Sequence, residues 1–441
     1  MVDFHPRRGY ARVVLNRHLL HRVRVAQADR AVVLLNGARQ VGKSTLARAL
    51  AAESGARYVT LDDATVAAAA RSDPEGFVGG VSSPVVLDEV QRASDLFLAI
   101  KASVDRDRRP GRFLLTGSAN ALLLPQLAEA LVGRMEIVTL WPLSQGEITG
   151  LVEGFVDALF GADAPSVRPV KAGGRSLTDR ILRGGYPEAV TTAADDRRSA
   201  WFSAYVTTLL ARDVRELARI DTLTDLPRLV SLVAARPMAL LNYAELARTV
   251  GVPQTTLKRY MSLLQTVFLV RTLPPWHGNL GKRLVKTPKI LFTDAGLAAH
   301  LMGLDRTRLQ ADRTLLGGLL ESFVAMEIEK QIGWSATSPT MYHFRSHAGE
   351  EVDLVLELRS GTIAGIEVKS AATVTASDFK GLRLLADAIG PRFHRGLVLY
   401  TGREVVPFGP RLFAVPVEAL WEWGARPVAA VVARSRPSGR I

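Results

Sequence analysis

An apolar run that leads into a glycine-rich turn constrains this chain more than any other feature. Residues 31–35 are apolar, and residues 37–44 read G-A-R-Q-V-G-K-S, which satisfies the pattern G-x-x-x-x-G-K-[ST]. A strand would deliver the chain to a loop whose backbone N–H groups converge on phosphate oxygens. A helix starting near Lys43 would point its positive end at the same anion. The sequence therefore predicts an α/β fold with a nucleotide-binding loop beside a parallel sheet.

The positions of this loop have separate expected roles. Lys43 would contact the β- and γ-phosphates of ATP, and the Ser44 hydroxyl would hold Mg²⁺. Glycine is needed at positions 37 and 42, because a Cβ there would obstruct the tight turn or the approach of phosphate. ATP and Mg²⁺ are thus the predicted cofactors. The predicted binding residues are Gly37, Ala38, Arg39, Gln40, Val41, Gly42, Lys43, Ser44 and Thr45.

A second apolar run ends in two carboxylates. Residues 84–89 read P-V-V-L-D-E, which places Asp88 at the carboxyl end of a buried parallel strand beside the loop. Asp88 would hold Mg²⁺ through water. Glu89 would polarise the attacking water, because the next residue of a strand points to the opposite face. The two motifs together predict a catalytic nucleotide site.

Two further apolar runs predict strands of the same sheet. Residues 112–120 end in small polar side chains, of which Ser118 or Asn120 would orient the water near the γ-phosphate. Ordinary turn chemistry is the alternative for either residue. The other run, residues 58–63, ends in two aspartates, and we expect it to be structural or to position the Asp88 strand.

Several of these segments together resemble one protein family. They are L-N-G-A-R-Q-V-G-K-S-T, V-V-L-D-E-V-Q-R, L-L-T-G-S-A-N, L-V-G-R-M-E-I-V-T-L-W-P-L-S, R-G-G-Y-P-E and Y-V-T-T-L-L-A-R-D-V. In them the chain is similar to prokaryotic AAA-type ATPases of the AAA_14 kind, whose members carry a C-terminal region called DUF4143. The resemblance covers nearly the whole chain. Its motifs are specific for the ATPase and much less so for what the ATPase drives.

The resemblance also implies a role for an arginine. In such proteins an arginine of the lid or of a neighbouring subunit often completes the nucleotide site. Arg134 matches the family position G-R, and an arginine suits a place where charge builds on the γ-phosphate. Whether it acts in its own subunit or on a neighbour is open, and a surface arginine in a glycine turn is the alternative.

The charge of the chain indicates an anionic partner. The formal net charge is +13, which suits nucleic acid or an acidic lipid surface, with a merely soluble basic protein as the alternative. Six arginines lie between residues 7 and 24 of the N-terminal tail, which we expect to form an arm or helix. A transit peptide is the alternative, although histidines and acidic residues interrupt this tail. The six arginines are Arg7, Arg8, Arg12, Arg17, Arg22 and Arg24.

Composition excludes some classes of protein. The chain has no cysteine, so a disulfide scaffold and thiolate metal or redox chemistry are excluded. No apolar stretch reaches the roughly 20 residues that span a bilayer, so we expect a cytoplasmic protein.

A chain of 441 residues exceeds what one hydrophobic core usually organises. We expect a basic arm (1–30), a P-loop ATPase core (31–144), a helical lid and linker (145–222), a winged helix (223–275) and a nuclease-like domain of the DUF4143 type (276–435).

The pattern of residues 226–273 predicts a winged helix-turn-helix. Two helices are expected, the second after Asn242 as N-cap, and Gly251 would form the turn before a third helix opened by Pro253. In a DNA-reading version the third helix would place exposed side chains in the major groove. In the other version the domain is a structural or subunit-contact module. The candidate contact residues are Thr255, Thr256, Lys258 and Arg259.

The last part of the chain carries a second acidic pattern. Asp353 lies on one predicted strand, and Glu367 and Lys369 share a face of the next. This spacing resembles the PD-(D/E)xK nuclease core, although Val352 stands where that pattern has proline. The resemblance implies that Asp353 and Glu367 bind Mg²⁺, that Lys369 positions or activates water, and that Glu321 assists from a helix. An inactive nuclease-like fold is the alternative.

These patterns favour an ATPase that acts on DNA through its winged helix and nuclease-like domain. The alternative is a nucleotide-dependent switch or assembly scaffold that binds a protein partner, with the C-terminal carboxylates inert. A homo-oligomer fits either hypothesis. His343 and His347 have the spacing of helical metal ligands, but their segment reads as extended, so we do not expect a zinc site.

Overall fold

The computed structural model describes residues 17–120, 133–167, 175–215, 225–278, 287–346 and 348–427. Its first domain contains a five-stranded parallel sheet in the order β2-β3-β4-β1-β5. Because all neighbours are parallel, the carboxyl ends of its strands meet at one edge. The strands are β1 (Val32–Asn36), β2 (Arg57–Thr60), β3 (Val85–Asp88), β4 (Phe113–Gly117) and β5 (Met135–Thr139).

Helices cover both faces of this sheet. Alternate residues of β1 belong to two different apolar cores: Val33 and Leu35 face one side, and Val32 and Leu34 the other. A parallel sheet buried on both faces explains why its strands read as continuous apolar runs. The helices are α1 (Leu19–Asp29), α2 (Lys43–Ser54), α3 (Ala64–Ser72), α4 (Pro74–Gly80) and α5 (Leu96–Arg106). The four strands predicted from the sequence in this domain are confirmed.

The N-terminal arginines that the structure describes are engaged within the fold. Arg17 is buried, its Nε lies 3.2 Å from a Glu147 carboxylate oxygen, and its guanidinium donates to the carbonyl oxygens of Trp141 and Val41. Arg22 and Arg24 on α1 pair with glutamates of the same domain. The described end of the predicted arm is therefore a docked helix. Arg7, Arg8 and Arg12 lie outside the described residues.

A helical region connects the first domain to the rest of the chain. Its helix α10 continues into one turn of π-helix at Leu209–Val214. The helices are α6 (Gln145–Thr149), α7 (Phe155–Leu159), α8 (Leu177–Arg183), α9 (Pro187–Thr191) and α10 (Asp195–Thr208). A short strand, β6 (Leu151–Val152), pairs with β15 (Arg426–Pro427) near the end of the described chain.

Three helices and a two-stranded antiparallel hairpin follow. The Asn242 side chain accepts from the backbone N–H of Glu245, so the predicted N-cap is confirmed, and Gly251 has φ +87° in the predicted turn. The elements are α11 (Leu226–Ala234), α12 (Tyr243–Val250), α13 (Gln254–Thr266), β7 (Val270–Leu273) and β8 (Lys289–Phe292). Two helices, α14 (Ala295–Leu301) and α15 (Arg306–Ala311), lead to the last domain.

The last domain is a six-stranded mixed sheet between two helices. The strand order is β13-β14-β12-β11-β10-β9, and a β-bulge interrupts the pairing of β10 with β9 between Val352 and Val355. The elements are α16 (Leu316–Ile332), β9 (Thr340–Arg345), β10 (Glu351–Glu357), β11 (Ile363–Lys369), α17 (Lys380–Ile389), β12 (Phe393–Tyr400), β13 (Val406–Gly409), β14 (Leu412–Pro416) and α18 (Ala419–Glu422). Over the part of the chain that the structure describes, none of the helices combines the length and apolarity that a bilayer crossing requires.

Candidate nucleotide site and C-terminal acidic cluster

The glycine-rich loop lies between β1 and α2, as the sequence predicts. Gly37, Gln40 and Gly42 all have positive φ, and such left-handed residues turn successive N–H groups toward one concave face. A Cβ on Gly37 would lie 2.2 Å from the carbonyl oxygen of Leu140, so only glycine fits there. The loop backbone is therefore shaped to receive an anion at the positive end of α2.

Lys43 is buried within this loop. Its ammonium group donates to the carbonyl oxygens of Gly37 and Ala38 at 3.0 and 2.8 Å. Burial lowers the pKa of Lys43 to about 8, and the carboxylates of Glu89 and Asp88 act in the opposite direction. Because β1 and β3 lie in one parallel sheet and end at the same edge, the predicted residues of both motifs face one site. Ser44 follows in the first turn of α2.

Asp88 ends β3 at the same edge of the sheet. Its carboxylate is buried and accepts hydrogen bonds from the Tyr58 and Thr116 hydroxyls of the two neighbouring strands. These donors fix the orientation of the carboxylate and leave its remaining lone pairs free to accept from water molecules around a cation. This arrangement fits the predicted contact with Mg²⁺ through water. Strand β2 pairs with β3 and supplies the Tyr58 hydroxyl that contacts Asp88.

Glu89 leaves the strand in a left-handed turn. Its φ of +58° and ψ of +45° are uncommon for a residue with a Cβ, and its backbone N–H donates to Thr116 Oγ1 at 3.0 Å. Its carboxylate accepts from the side-chain amide of Gln91, which also donates to Ser118 Oγ at 2.9 Å. The structure thus brings Ser118 together with Glu89 through Gln91.

Arg134 and Asn120 occupy other surroundings. Arg134 immediately precedes β5, whose first residue, Met135, pairs with Val32 at the start of β1. Arg134 therefore lies at the amino edge of the sheet, and the length of β1, about 13 Å, separates this edge from the loop. It pairs there with Asp105 at 2.7 Å. Arg134 therefore lies away from the nucleotide site of its own chain, and the two remaining hypotheses are a role at a neighbouring copy and a surface arginine. The backbone N–H of Asn120 donates to the carbonyl of Thr266, at the end of α13.

A contact between the loop and the helical region was not predicted. Arg39 pairs with Asp213 of the π-helical turn at 2.8 Å, and Tyr205 of α10 donates to the Arg39 carbonyl at 3.5 Å. The sequence contained a signal for this contact, because Arg39 and Asp213 both belong to segments that carry the family resemblance. Their spatial proximity depends on the fold.

The predicted nuclease residues converge, but an unpredicted lysine lies among them. Lys289 of β8 is 4% exposed, and its ammonium group is 3.2 Å from carboxylate oxygens of both Glu351 and Asp353. Burial alone would lower the pKa of Lys289, but the charges of Asp353 and Glu351 outweigh it and the pKa is raised. The acidic cluster (Glu321, Glu351, Asp353 and Glu367) thus already contains a fixed cation.

The carboxylates of the predicted Mg²⁺ site have protein partners in this structure. One oxygen of Asp353 accepts from Lys289 and the other from the backbone N–H of Val368 at 3.0 Å, while Glu367 pairs with Lys369 at 2.8 Å. Burial, followed by the charge of Asp353, raises the pKa of Glu321 and of Glu367. No group of three or more His, Asp or Glu side chains that could hold a metal ion occurs within the described ranges. The ammonium group of Lys289 lies between the carboxylates of Glu351 and Asp353.

Of the two histidines considered as metal ligands, the structure describes His343. His343 lies in β9, and its Nε2 is 3.2 Å from the carbonyl oxygen of Thr287, while His347 lies outside the described residues. Burial lowers the pKa of His343 to about 4. The backbone N–H of Trp276 donates to the His343 carbonyl oxygen, and these contacts attach the hairpin segment to the edge of the last sheet.

Three family models match successive parts of the chain. An AAA domain model, AAA_14, matches residues 29–149, and domains of unknown function DUF8612 and DUF4143 match residues 174–308 and 316–420. The first match contains the glycine-rich loop and the Asp88 strand. The last match contains the whole acidic cluster, whereas Lys289 lies in the DUF8612 match. The Lys289 ion pairs therefore join two separately described regions.

Whole-chain relatives exist in mycobacteria. An uncharacterized protein of Mycobacterium tuberculosis and one of Mycobacterium bovis are each 35% identical to this chain over 407 residues, covering 92% of this chain and 84% of theirs. Among solved structures, the Walker-type ATPase PABY2304 of Pyrococcus abyssi is similar with a TM-score of 0.41 and 16% identity, over 68% of this chain and 99% of its own. The RuvB Holliday junction branch migration motor of Thermotoga maritima has a TM-score of 0.26 and 19% identity, over 62% and 91%.

Proposed function

Because this chain belongs to the family of AAA-type P-loop ATPases that carry a DUF4143 domain, we propose that it binds and hydrolyses ATP at the Lys43 site. One observation carries the proposal. The buried Lys43 ammonium, the Asp88 carboxylate and Glu89 meet at the carboxyl edge of one parallel sheet, beside a loop whose left-handed residues suit phosphate.

The residues divide the work of hydrolysis between them. The loop N–H groups and Lys43 hold the phosphates, and Glu89 accepts a hydrogen bond from the attacking water and orients it. Ser44 and, through water, Asp88 would hold Mg²⁺. When bound, that ion neutralises charge on the β- and γ-phosphates. Ser118 is linked to Glu89 through Gln91, and its hydroxyl is a second group that would orient the attacking water.

Steady-state ATP hydrolysis by the purified chain in Mg²⁺, with and without duplex DNA at moderate salt, tests the proposal. Stimulation by DNA that fades as salt rises supports coupling between the basic downstream regions and the Lys43 site. A substantial rate that DNA leaves unchanged keeps the ATPase and favours a protein partner. Turnover per chain that rises with protein concentration would support Arg134 acting on a neighbouring copy.

The surface of α13 favours DNA as the partner. Thr255, Lys258 and Arg259 are exposed on this helix, and Thr256 is half-buried beside them. The helix follows a left-handed turn at Gly251, in the order that helix-turn-helix domains use to present a recognition helix. Positive side chains next to hydroxyls suit phosphate and base edges. We infer that α13 contacts duplex DNA.

The double substitution of Lys258 and Arg259 by alanine is expected to weaken DNA binding. If both side chains neutralise phosphates, the slope of log K against log salt falls by about 2 in magnitude. Fluorescence anisotropy of a labelled duplex over a series of salt concentrations measures this slope.

A matched pair on the first domain controls for net charge alone. Arg108 and Arg109 are 75% and 77% exposed, so their replacement by alanine removes the same charge from another surface. We expect this control to keep the parental slope. Equal losses in both double variants would show that the chain attracts DNA by overall charge, and α13 would lose its assigned role.

Lys289 favours a second conclusion, that the acidic cluster is structural and does not cleave DNA. Its ammonium group neutralises Asp353 and Glu351, so a divalent ion would have to displace a buried cation. We expect the parent to cleave neither duplex nor single-stranded DNA in Mg²⁺ or Mn²⁺. Incubation with end-labelled DNA beside the Lys369→Ala variant checks this. Cleavage that the parent shows and Lys369→Ala lacks would restore the nuclease hypothesis.

A further inference from the structure

We propose that Gln91 is a positioning residue for ATP hydrolysis. Its side-chain amide donates to both the Glu89 carboxylate and the Ser118 hydroxyl and so holds these two groups next to each other. The inference rests on the proposed ATPase function and goes beyond it by assigning a further residue. Gln91 lies in the segment V-V-L-D-E-V-Q-R, but the sequence analysis assigned it no role. It lies two positions after Glu89, in a short 3₁₀ turn at Val90–Ala93.

The backbone of Glu89 is fixed before Gln91 acts on its side chain. The left-handed conformation of Glu89 costs free energy for a residue with a Cβ, so its surroundings must hold it in place. Thr116 does so, because its hydroxyl accepts from the Glu89 N–H and donates to Asp88. The turn that follows returns the Gln91 side chain to the Glu89 carboxylate.

The side-chain amide of Gln91 makes both of its hydrogen bonds through its nitrogen. Its Nε2 has two hydrogens, and the two acceptors within reach are Glu89 Oε2 and Ser118 Oγ. Since Ser118 accepts this bond, its own hydrogen is left for another partner. Glu89 therefore offers a hydrogen-bond acceptor and Ser118 a hydrogen-bond donor. A water molecule that attacks a phosphate needs both, an acceptor for its proton and a donor to its oxygen.

The carbonyl oxygen of the same amide supports a functional role. Gln91 Oε1 is buried and has no hydrogen-bond partner among the described residues. An amide present only for stability would be expected to satisfy both of its ends, because a buried unpaired acceptor is costly. Gly117 leaves the space for this oxygen, since a Cβ there would lie 3.3 Å from it. The amide is thus held for its Nε2 contacts at the catalytic edge.

Two substitutions of Gln91 test the inference. Gln91→Met keeps the length of the side chain and removes both hydrogen bonds, so we expect kcat to fall by about 10- to 100-fold while the KM for ATP changes less than about threefold. Gln91→Glu places a second carboxylate beside Glu89, so the acidic limb of the kcat–pH profile moves to higher pH. A purely structural role would lower MgADP binding together with kcat, whereas a positioning role lowers kcat and leaves MgADP binding unchanged. Gln27→Met, on α1 of the same domain, is the matched control and keeps the parental kcat.

The possible outcomes separate this inference from the ATPase itself. Parental kcat and pH profile in both Gln91 variants would overturn the role of Gln91 and leave the ATPase intact. A loss of kcat accompanied by loss of MgADP binding, measured by calorimetry, would assign Gln91 to the structure of the site and also overturn the inference. If the parent turns over no faster than Lys43→Ala, the ATPase proposal fails, and the inference fails with it.

Discussion

Replacing Lys43 by alanine is expected to lower ATP turnover by about 10²- to 10³-fold or more. The ammonium group is the buried cation of the loop, and its removal leaves the charge that develops on the transferred phosphoryl group without its closest compensation. Release of inorganic phosphate under saturating ATP and Mg²⁺ measures the loss.

A control is needed because Lys43 also stabilises the loop through its bonds to Gly37 and Ala38. Lys101→Ala removes a lysine from α5 of the same domain and should keep the parental turnover. Thermal unfolding of both variants shows whether the domain stays folded. A folded Lys43→Ala protein with parental turnover would refute the assignment of the nucleotide site.

The second large effect concerns stability. We expect Lys289→Met to lower the free energy of unfolding of the last domain by about 3–5 kcal/mol. The reason is that the substitution leaves the buried Asp353 without its cation, and the half-buried Glu351 keeps only its pair with Arg345. Hydrogen exchange of the peptides that cover residues 351–369 localises the loss to this cluster.

A lysine of the same domain provides the comparison. Lys380 pairs with Glu350, but its side chain is 73% exposed, so Lys380→Met should change stability by less than about 1 kcal/mol. A double-mutant cycle of Lys289→Met with Asp353→Asn isolates the energy of the buried pair. Equal, small effects of both lysine substitutions would mean that Lys289 does not act as the resident cation.

The nucleotide site shows how far local sequence extends. Lys43, Ser44 and Asp88 were identified from apolar runs that end in particular residues, and the structure places them at one edge of one sheet. Prediction works there because parallel strands bring their carboxyl ends together whatever the rest of the chain does. Gln91 escaped this reasoning, because its role depends on the left-handed turn at Glu89, which no residue type announces.

Charge was the least predictable property. The arginines of the first 30 residues indicated an arm for an anionic partner, yet Arg17 is buried against Glu147. Arg134 matched a family position, but the register of β5 with β1 places it at the opposite edge from the loop. In each case the partner of the charge comes from a distant part of the chain.

The sequence by itself determined the α/β fold of the first domain, the phosphate-binding loop and the positions of the acidic strand ends. Only the tertiary structure decided which cation each carboxylate meets, and therefore that Lys289 of the hairpin neutralises Asp353 across 64 residues of chain. The physical reason is the separation along the chain of the residues that determine each feature. Strand and loop patterns follow from neighbouring residues, whereas an ion pair requires two segments whose packing is set by the whole fold.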